Sequence, residues 1–389
     1  MSTNAESITI IGASGAGLFA AWRLATAGRR VVVYEQRRAP RWASRTLIVT
    51  DEFRRWWPGS PAPFLRHRIT AFELRAGSAR LAIPLRRPDW VVERAELLSG
   101  LAQMAQDAGA EIRWGWRFLG APNGDLAFVG PAGRETEVPA RVVLAADGVG
   151  SRAGQALGLP PPLSLRLLQA QVSLPRWARP EQVVVWFDPT TTPYFYWLIP
   201  ESSRSGVFGL IAGPGQPVRA LLEEYLDRLG LEPLTYQEGM VATYRPGLPF
   251  QSRQGDRWVL RVGDAGGQVK ATTVGGTVTG LWGAAAVADL LLGRGRGTAW
   301  ALKAELLAHW IVRRFLDRFS SEDYERLLRG LNRRSLRWLA TVPRDRLARS
   351  VWRLLLAQPA LLSWGLRVLF KGDRKANGVG EEPARFARE

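Results

Sequence analysis

Residues 8–35 read ITIIGASGAGLFAAWRLATAGRRVVVYE, and no other stretch constrains the fold as tightly. The apolar run ending at Ile11 has the character of a strand buried on both faces. Gly12, Ala13, Ser14, Gly15, Ala16 and Gly17 form a tight turn. LFAAWRLATAG then has helical periodicity and stops at Gly28, and RVVVYE is a second buried strand ending on an acid. Strand, turn, helix and strand, with an acid about twenty residues past the glycines, is an arrangement that holds a dinucleotide. Gly12 permits the turn, and Gly17 lets the helix approach the sheet. The N–H groups that open the helix suit a pyrophosphate, and Glu35 can accept hydrogen bonds from a ribose. Ser14 stands where the middle glycine of GxGxxG would be.

A second glycine-rich acidic loop, GDAGGQVKATTVGGTVTG, spans 263–280 behind the apolar run WVLRV. A nicotinamide enzyme has no need of it. FAD is longer, because a ribityl chain and a flavin ring lie beyond its pyrophosphate. Asp264 at the end of a late strand can hydrogen-bond ribityl hydroxyls. A helix opening at Gly275, Gly276 and Thr277 can aim N–H groups at the pyrimidine edge of the flavin, where reduction builds negative charge. One loop then serves the pyrophosphate and the other the ribityl chain and ring.

The chain has 389 residues and no Cys, and only His67 and His309 as imidazoles. Disulfides, thiolate metal sites and Fe–S clusters are excluded, no metal site is expected, and redox chemistry must ride on an organic cofactor. The net charge of +18 comes almost entirely from Arg, since the lysines are Lys270, Lys303, Lys371 and Lys375. These cations are spread along the chain without zinc spacing or an RNP-like string, so no nucleic-acid partner is expected. Anionic lipid headgroups, a phosphorylated substrate, or an Arg-rich solvated surface account for the same charge. The start MSTNAES fits no secretory signal, and no apolar stretch reaches the ~18 residues of a spanning helix. The expected location is cytoplasmic, with peripheral attachment to the inner face of the membrane as the variant.

VVERAELLSGLAQMAQDAGAEIRW (91–114) reads as a strand end, Arg94, an amphipathic helix and another strand. VVLAADGVGSRAGQALGL (142–159) is a strand ending in Asp147 and Gly148, followed by Ser151 and Arg152. With GASGAG, Glu35 and GDAGGQVKATTVGGT, these segments resemble the FAD-dependent oxidoreductase class that includes para-hydroxybenzoate hydroxylase, and within it the geranylgeranyl reductase family. The resemblance covers most of the chain. It implies an α/β fold in which a Rossmann-type FAD-binding domain carries an inserted antiparallel β-sheet substrate domain and a C-terminal helical region. It also implies cofactor contacts from Gly12, Ser14, Gly15, Ala16, Gly17, Glu35, Gln36, Arg45, Thr46, Arg94, Phe118, Asp147, Gly148, Asp264, Gly275, Gly276 and Thr277. The activity implied is reduction of carbon–carbon double bonds in an isoprenoid lipid. With one Rossmann fingerprint in the chain, the electron donor is NAD(P)H bound transiently or a ferredoxin-like protein.

Subclass rests on smaller strings. Aromatic hydroxylases carry a His after GDA and an Asn at the following helix start, where this chain has Gly267 and Thr277. GQVKATTVGG is instead similar to the reductases' GxVKPTTGGG, with Ala271 for Pro and Val274 for Gly. FYWLIP (195–200) resembles their [YF]xWxFP motif, with Ile199 for Phe, and makes Phe195, Trp197 and Pro200 candidate substrate-channel residues. An ordinary aromatic core strand has the same pattern. It also matches the halogenases' WxWxIP, but those enzymes need a lysine in the flavin-proximal N-terminal part, and the first lysine here is Lys270. Archaeal reductases have a Cys in the segment corresponding to RTLIVT (45–50), which this chain lacks. Either another group gives the proton, with Tyr194 and Tyr196 as candidates, or the substrate differs.

The expected layout is a discontinuous FAD-binding domain (1–60, 90–160 and 245–300), an antiparallel-sheet substrate domain (61–89 and 161–244), a helical region (301–375) and a disordered tail (376–389). Within the helical region VWRLLLAQPALLSWGLRVLF mixes Leu and Trp with Arg. It either packs on the flavin domain or lies in a membrane interface. The rival activities are a flavin monooxygenase acting on a hydrophobic substrate and a non-catalytic basic binder of membranes or nucleic acid.

Overall fold

The run ITII forms the strand Ile8–Ile11, buried along its whole length between two parallel neighbours, Val31–Glu35 and Val142–Ala145. This is one end-to-end apolar layer of a computed structural model that describes residues 7–122, 124–361 and 364–365. The tail 376–389 and the end of the helical region expected from the sequence lie outside the described residues. The sheet runs in the order Gln251–Gln254, Arg257–Arg261, Val142–Ala145, Ile8–Ile11, Val31–Glu35, Glu111–Trp114, parallel except for its first, edge strand. Helices cover one face and a three-stranded sheet (Arg117–Gly120, Leu126–Val129, Glu135–Val138) covers the other. Such a double-sided cover is why its strands read as unbroken apolar runs.

Helix α1 (Gly15–Thr26) follows the first strand, with Ser14 as its N-cap, the Ser14 Oγ accepting from Gly17 N at 3.2 Å. Gly12 sits at φ +101°, and a Cβ there would come within 2.6 Å of the Ala146 carbonyl oxygen. A side chain would therefore push the turn off the neighbouring strand end. Helix α2 (Arg94–Asp107) packs beside α1, and the short α3 (Arg152–Ala156) follows the Asp147 turn.

The large sheet has the order Pro233–Thr243, Leu163–Ser173, Ser205–Ile211, Tyr196–Pro200, Gln182–Trp186, Leu65–Ala76, Ala79–Glu93, Thr46–Val49. It is not wholly antiparallel as expected: Gln182–Trp186 lies parallel to Leu65–Ala76. The chain passes through the parallel-sheet layer between those two strands, so the second returns by a crossover and not by a hairpin. Thr46–Val49, expected within the cofactor domain, is the edge strand of this sheet, because Ala79–Glu93 is 15 residues long and its last residues offer it a partner. Helix α4 (Val218–Leu229) packs Leu222 and Tyr225 on the outer face against Tyr196 and Phe208.

Helix α5 (Thr277–Leu291) is buried beside α1. Its apolar face is nearly continuous because α1 and α6 (Gly297–Leu316) both pack on it. Helix α7 (Ser321–Gly330) opens with a capping box between Ser320 and Asp323 and packs on the hairpin of Leu65–Ala76 and Ala79–Glu93. Helices α8 (Arg333–Thr341) and α9 (Leu347–Ala357) then pack on strand Ala79–Glu93 and on α6 respectively. Among the described residues no helix is long and apolar enough to cross a membrane.

Candidate active site

Ile11, Ala145 and Arg261 are aligned across three adjacent parallel strands. The loops that leave those strands, at Gly12, Ala146 and Val262, are therefore brought to one edge of the sheet. This edge is the carboxyl end of the strands, where open α/β sheets bind ligands. A cavity of about 800 Å³ opens from it. Its polar end is lined by Ser14, Gly15, Ala16, Arg45, Thr46, Arg94, Gly148, Asp264, Gly275, Gly276 and Thr277. Residues from five separated segments predicted from the sequence thus meet in one space.

The two arginines form the electrostatic centre of this end. Arg94 begins α2 and donates its backbone N–H to the Arg45 carbonyl at 3.0 Å, which holds the two residues together. Burial lowers both, opposed in each case by the Asp264 carboxylate. Arg94 falls to about 10, because Arg45 and Arg37 also repel its charge. The Arg45 Nε is buried with no hydrogen-bond partner. Two guanidinium groups held together in this way, one with an unpartnered Nε, suit an anion. Asp264 sits on a single 3-10 turn, Gly263–Gly266, after the strand Arg257–Arg261. Burial raises its carboxyl, while the Ala242 N–H, Arg45 and Arg94 pull it back. Gly276, the N-cap of α5, is close enough that a Cβ would meet Asp264 Oδ1 at 3.3 Å and Val269 at 2.8 Å. Only a glycine brings the helix opening this near the acid. Val274, in place of the family's glycine, holds φ +51°, a left-handed conformation that a β-branched residue adopts under strain.

Several expected residues stand back from the cavity. Glu35 is buried, its carboxylate accepting from Ala13 N at 2.7 Å and Arg37 N at 2.9 Å, so it braces the turn. Gln36 is exposed beside it, and Phe118 packs edge-on to Phe128 in the small-sheet core. Gly12 and Gly17 shape the turn from behind Ser14 to Ala16. Asp147 accepts from Ser151 Oγ at 3.0 Å and Ala153 N at 2.8 Å, capping α3, while the adjacent Gly148 reaches the cavity.

Beyond Gly275 the cavity turns apolar, with Ile48, Phe72, Ile83, Val183, Phe195, Trp197, Ile199 and Ile211 as walls. Phe195, Trp197 and Ile199 alternate onto this face because side chains along a strand have period two. Trp197 lies flat over Gly209 of the neighbouring strand, where a Cβ would come within 2.6 Å of the ring. The same parity turns Tyr196 and Pro200 away, which corrects both expectations. Tyr196 stacks on Tyr225 with ring centroids 4.0 Å apart and donates to Thr191 Oγ1 at 3.0 Å, on the opposite side of the sheet. Tyr194 is not among the cavity walls; it packs under the Arg313 guanidinium, and burial lifts its phenol to about 12. The proton-bearing side chains that do border the cavity beside Gly275 are Lys270, Thr272 and Thr273.

Sequence reading missed how the far end is closed. The segment Arg344, Asp345, Arg346 behind α8 is pinned three ways. Arg344 pairs with Asp89 at 2.6 Å, Asp345 pairs with Lys270 and accepts from Thr50 Oγ1, and Arg346 pairs with Glu52. Asp345 is fully buried; burial would raise its carboxyl, but Lys270, Thr50 and Arg344 outweigh that and hold it below the usual range. The alternating R-D-R between two apolar helices was the available signal.

Behind Lys270, two buried groups on α6 are shifted oppositely. Burial pushes Glu305 up from 4.5 to about 7. Burial, helped by the Lys270 charge, pushes His309 down from 6.5 to about 3. Between about pH 4.5 and 7 folded Glu305 keeps a proton that the unfolded chain has released, so its contribution falls as pH rises. His309 in the fold lacks a proton that the unfolded chain binds below about 6.5, so its contribution falls as pH drops toward 3. From 4.5 to 6.5 the two slopes are opposite and cancel. Glu305→Gln should uncover the His309 slope. Its stability relative to the parent, from urea unfolding between pH 5 and 6.5, should rise with pH by about 1.4 kcal/mol per unit. A difference that stays constant over that range would show that Glu305 is ionised in the fold.

Residues 10–58 match the NAD(P)-binding Rossmann-like domain family. Over 298 residues the chain is 29% identical to digeranylgeranylglycerophospholipid reductase 1 of Methanopyrus kandleri, covering 70% of this chain and 77% of that one. A geranylgeranyl bacteriochlorophyll reductase-like protein of Thermoplasma acidophilum superposes with a TM-score of 0.72 at 17% identity, over 93% of this chain and 99% of its own. The flavin-dependent brominase Bmp2 gives 0.66 at 16% identity, over 93% and 99%. The two structures share the fold with this chain over most of its length.

Proposed function

We propose that the protein is an FAD-dependent oxidoreductase that reduces carbon–carbon double bonds of a geranylgeranyl-type isoprenoid lipid. One observation carries the cofactor: half-buried Arg45 and Arg94, with the unpartnered Arg45 Nε, face the N-terminus of α1 across one cavity whose other wall is Asp264 and the N-terminus of α5. A mononucleotide would satisfy the arginines alone. A pyrophosphate joined to a ribityl chain and ring uses every part. In this reading Ser14, Gly15, Ala16, Arg45 and Arg94 hold the pyrophosphate, with Thr46 and Gly148 alongside. Asp264 takes ribityl hydroxyls, and Gly275, Gly276 and Thr277 present the positive end of α5 to the ring. Gly12, Gly17, Glu35, Gln36, Phe118 and Asp147 shape and border the adenosine side. Bound and reduced, FAD supplies a hydride.

The protein's own contribution is position, dryness and a proton. Phe195, Trp197 and Ile199 line the wall of an apolar channel, which suits a prenyl chain and excludes water from the reacting bond. Thr272 and Thr273, which border the cavity, replace the two tyrosines as groups able to relay the proton. The substrate class is favoured by the similarity to the Methanopyrus reductase. NAD(P)H or a ferredoxin-like protein serves as a transient electron donor. A halogenase reading lacks its N-terminal lysine, and Lys270 is committed to Asp345.

The test is mass spectrometry of lipids after co-expression with a geranylgeranyl-lipid pathway. Products two hydrogens heavier support the reading, whereas a hydroxylated product with oxygen uptake would replace it by a monooxygenase. A second expectation concerns Asp264. Hydrogen bonds to a charged group contribute about 1.5–3 kcal/mol, so Asp264→Ala should weaken FAD binding by roughly one to two decades. Flavin occupancy that survives dilution as in the parent would remove Asp264 from the site.

A further inference from the structure

Five of the ten large apolar side chains exposed among the described residues lie on two packed helices, α6 and α9. Trp300, Leu307 and Ile311 recur at helical spacing along α6, exposed at 65%, 37% and 44%, and Trp352 and Leu356 lie one turn apart on α9 at 70% and 77%. Two ties set the helices side by side. Ala348 N donates to Glu305 at 3.0 Å, and Trp364 packs on Phe319 with ring centroids 4.8 Å apart. No described side chain of α9 is buried, although the helix reads LARSVWRLLLA. An amphipathic helix whose apolar side finds no core needs another apolar medium.

Positive charge dominates around this surface, and the exposed Asp317 that ends α6 pairs with Arg313. Lys303, Arg314, Arg333, Arg334, Arg337 and Arg353 are exposed on α6, α8 and α9. The acids of these helices and of the loop between α8 and α9 are Glu305 and Asp345, both buried. We propose that the α6–α9 face is a docking surface for an anionic lipid bilayer, with Trp300, Trp352 and Leu356 entering the interface and the ring of cations meeting the headgroups.

Three observations favour that occupant. Headgroup anions supply the missing counter-charge, and apolar side chains among exposed cations are the composition of an interfacial helix. A second copy docked through the same face would set these cations against each other. Residues 366–389 carry six Lys or Arg against four Asp or Glu, so that segment is itself basic and offers no neutralisation. The surface also adjoins the channel, because α8 supplies Leu339, Ala340 and the exposed Thr341 to the cavity wall.

The test is co-sedimentation of the full-length protein with vesicles of phosphatidylglycerol and phosphatidylcholine, and with phosphatidylcholine alone. It uses neither FAD nor substrate, so its outcome is independent of the reduction reading. The expected result is binding to the anionic vesicles that is lost in high salt. The charge-preserving triple variant Trp300→Ala, Trp352→Ala, Leu356→Ala should bind at least roughly tenfold more weakly at an unchanged melting temperature. No binding to anionic vesicles overturns the proposal. So does triple-variant binding equal to the parent's, which would leave only nonspecific charge attraction. Concentration-dependent self-association of the parent that the triple variant abolishes would assign the face to a second copy.

Discussion

Asp345→Ala is expected to cost about 3–5 kcal/mol of stability, because it leaves the Lys270 ammonium buried with no counter-ion. Lys270 is 6% exposed and Asp345 0%, so little water reaches the pair to replace the lost partner. Thr50 loses its acceptor in the same step. The pair joins the loop before α5 to the segment after α8, so α8 should loosen with it, and the cavity wall at Leu339 and Ala340 with α8. Urea unfolding of the variant beside the parent measures the first effect, and amide hydrogen exchange over 333–346 the second. The double variant Lys270→Met, Asp345→Leu removes both charges and should recover most of the loss, since a well-packed apolar pair replaces a buried ion pair at little cost. A single variant within about 0.5 kcal/mol of the parent would mean that Lys270 reaches water and that the latch does not exist.

What the chain revealed on reading, and what it hid, divides by the range of the interaction. The turn at Gly12, the cap by Ser14 and the opening of α5 at Gly276 are local, and each is written in a few consecutive residues. Ser14 also shows why the departure from GxGxxG is tolerated: its hydroxyl accepts from Gly17 N. The meeting of Arg45 with Arg94 needs the edge strand Thr46–Val49, which four residues of ordinary composition do not announce. The crossover that lays Gln182–Trp186 parallel to Leu65–Ala76 is likewise a property of topology. The latch joins residues 75 and 295 positions apart in the chain. FYWLIP divides by parity, with Phe195 and Trp197 on the cavity and Tyr196 and Pro200 turned from it. Its period of two was plain, yet which alternate set faces the channel depends on the neighbouring strand. Gly209, opposite Trp197, was the available signal, since an indole needs the missing Cβ to lie flat on the sheet.

That parity yields the sharpest contrast open to mutation. Trp197→Ala removes a large wall of the channel and should cost roughly 3 kcal/mol of stability, at the low end for a buried aromatic, because it widens an existing cavity and does not open a new one. Its ring lies on Gly209 and against Phe195, both in the substrate-side sheet segment, so FAD content and the flavin spectrum should survive. Reduction of a geranylgeranyl lipid should fall at least tenfold, since the loss of ~1.5–3 kcal/mol of apolar contact is felt by the prenyl chain and not by the flavin. Tyr196→Phe, one residue away on the other face, loses only the hydrogen bond to Thr191, about 0.5–1.5 kcal/mol, and should leave the rate unchanged. Melting temperature, flavin content and turnover measured on both variants decide the matter. A Trp197 variant that keeps full activity would move the substrate out of this channel. A Tyr196 variant that folds, binds FAD and no longer turns over would return the proton to the tyrosine and put the strand's register in error.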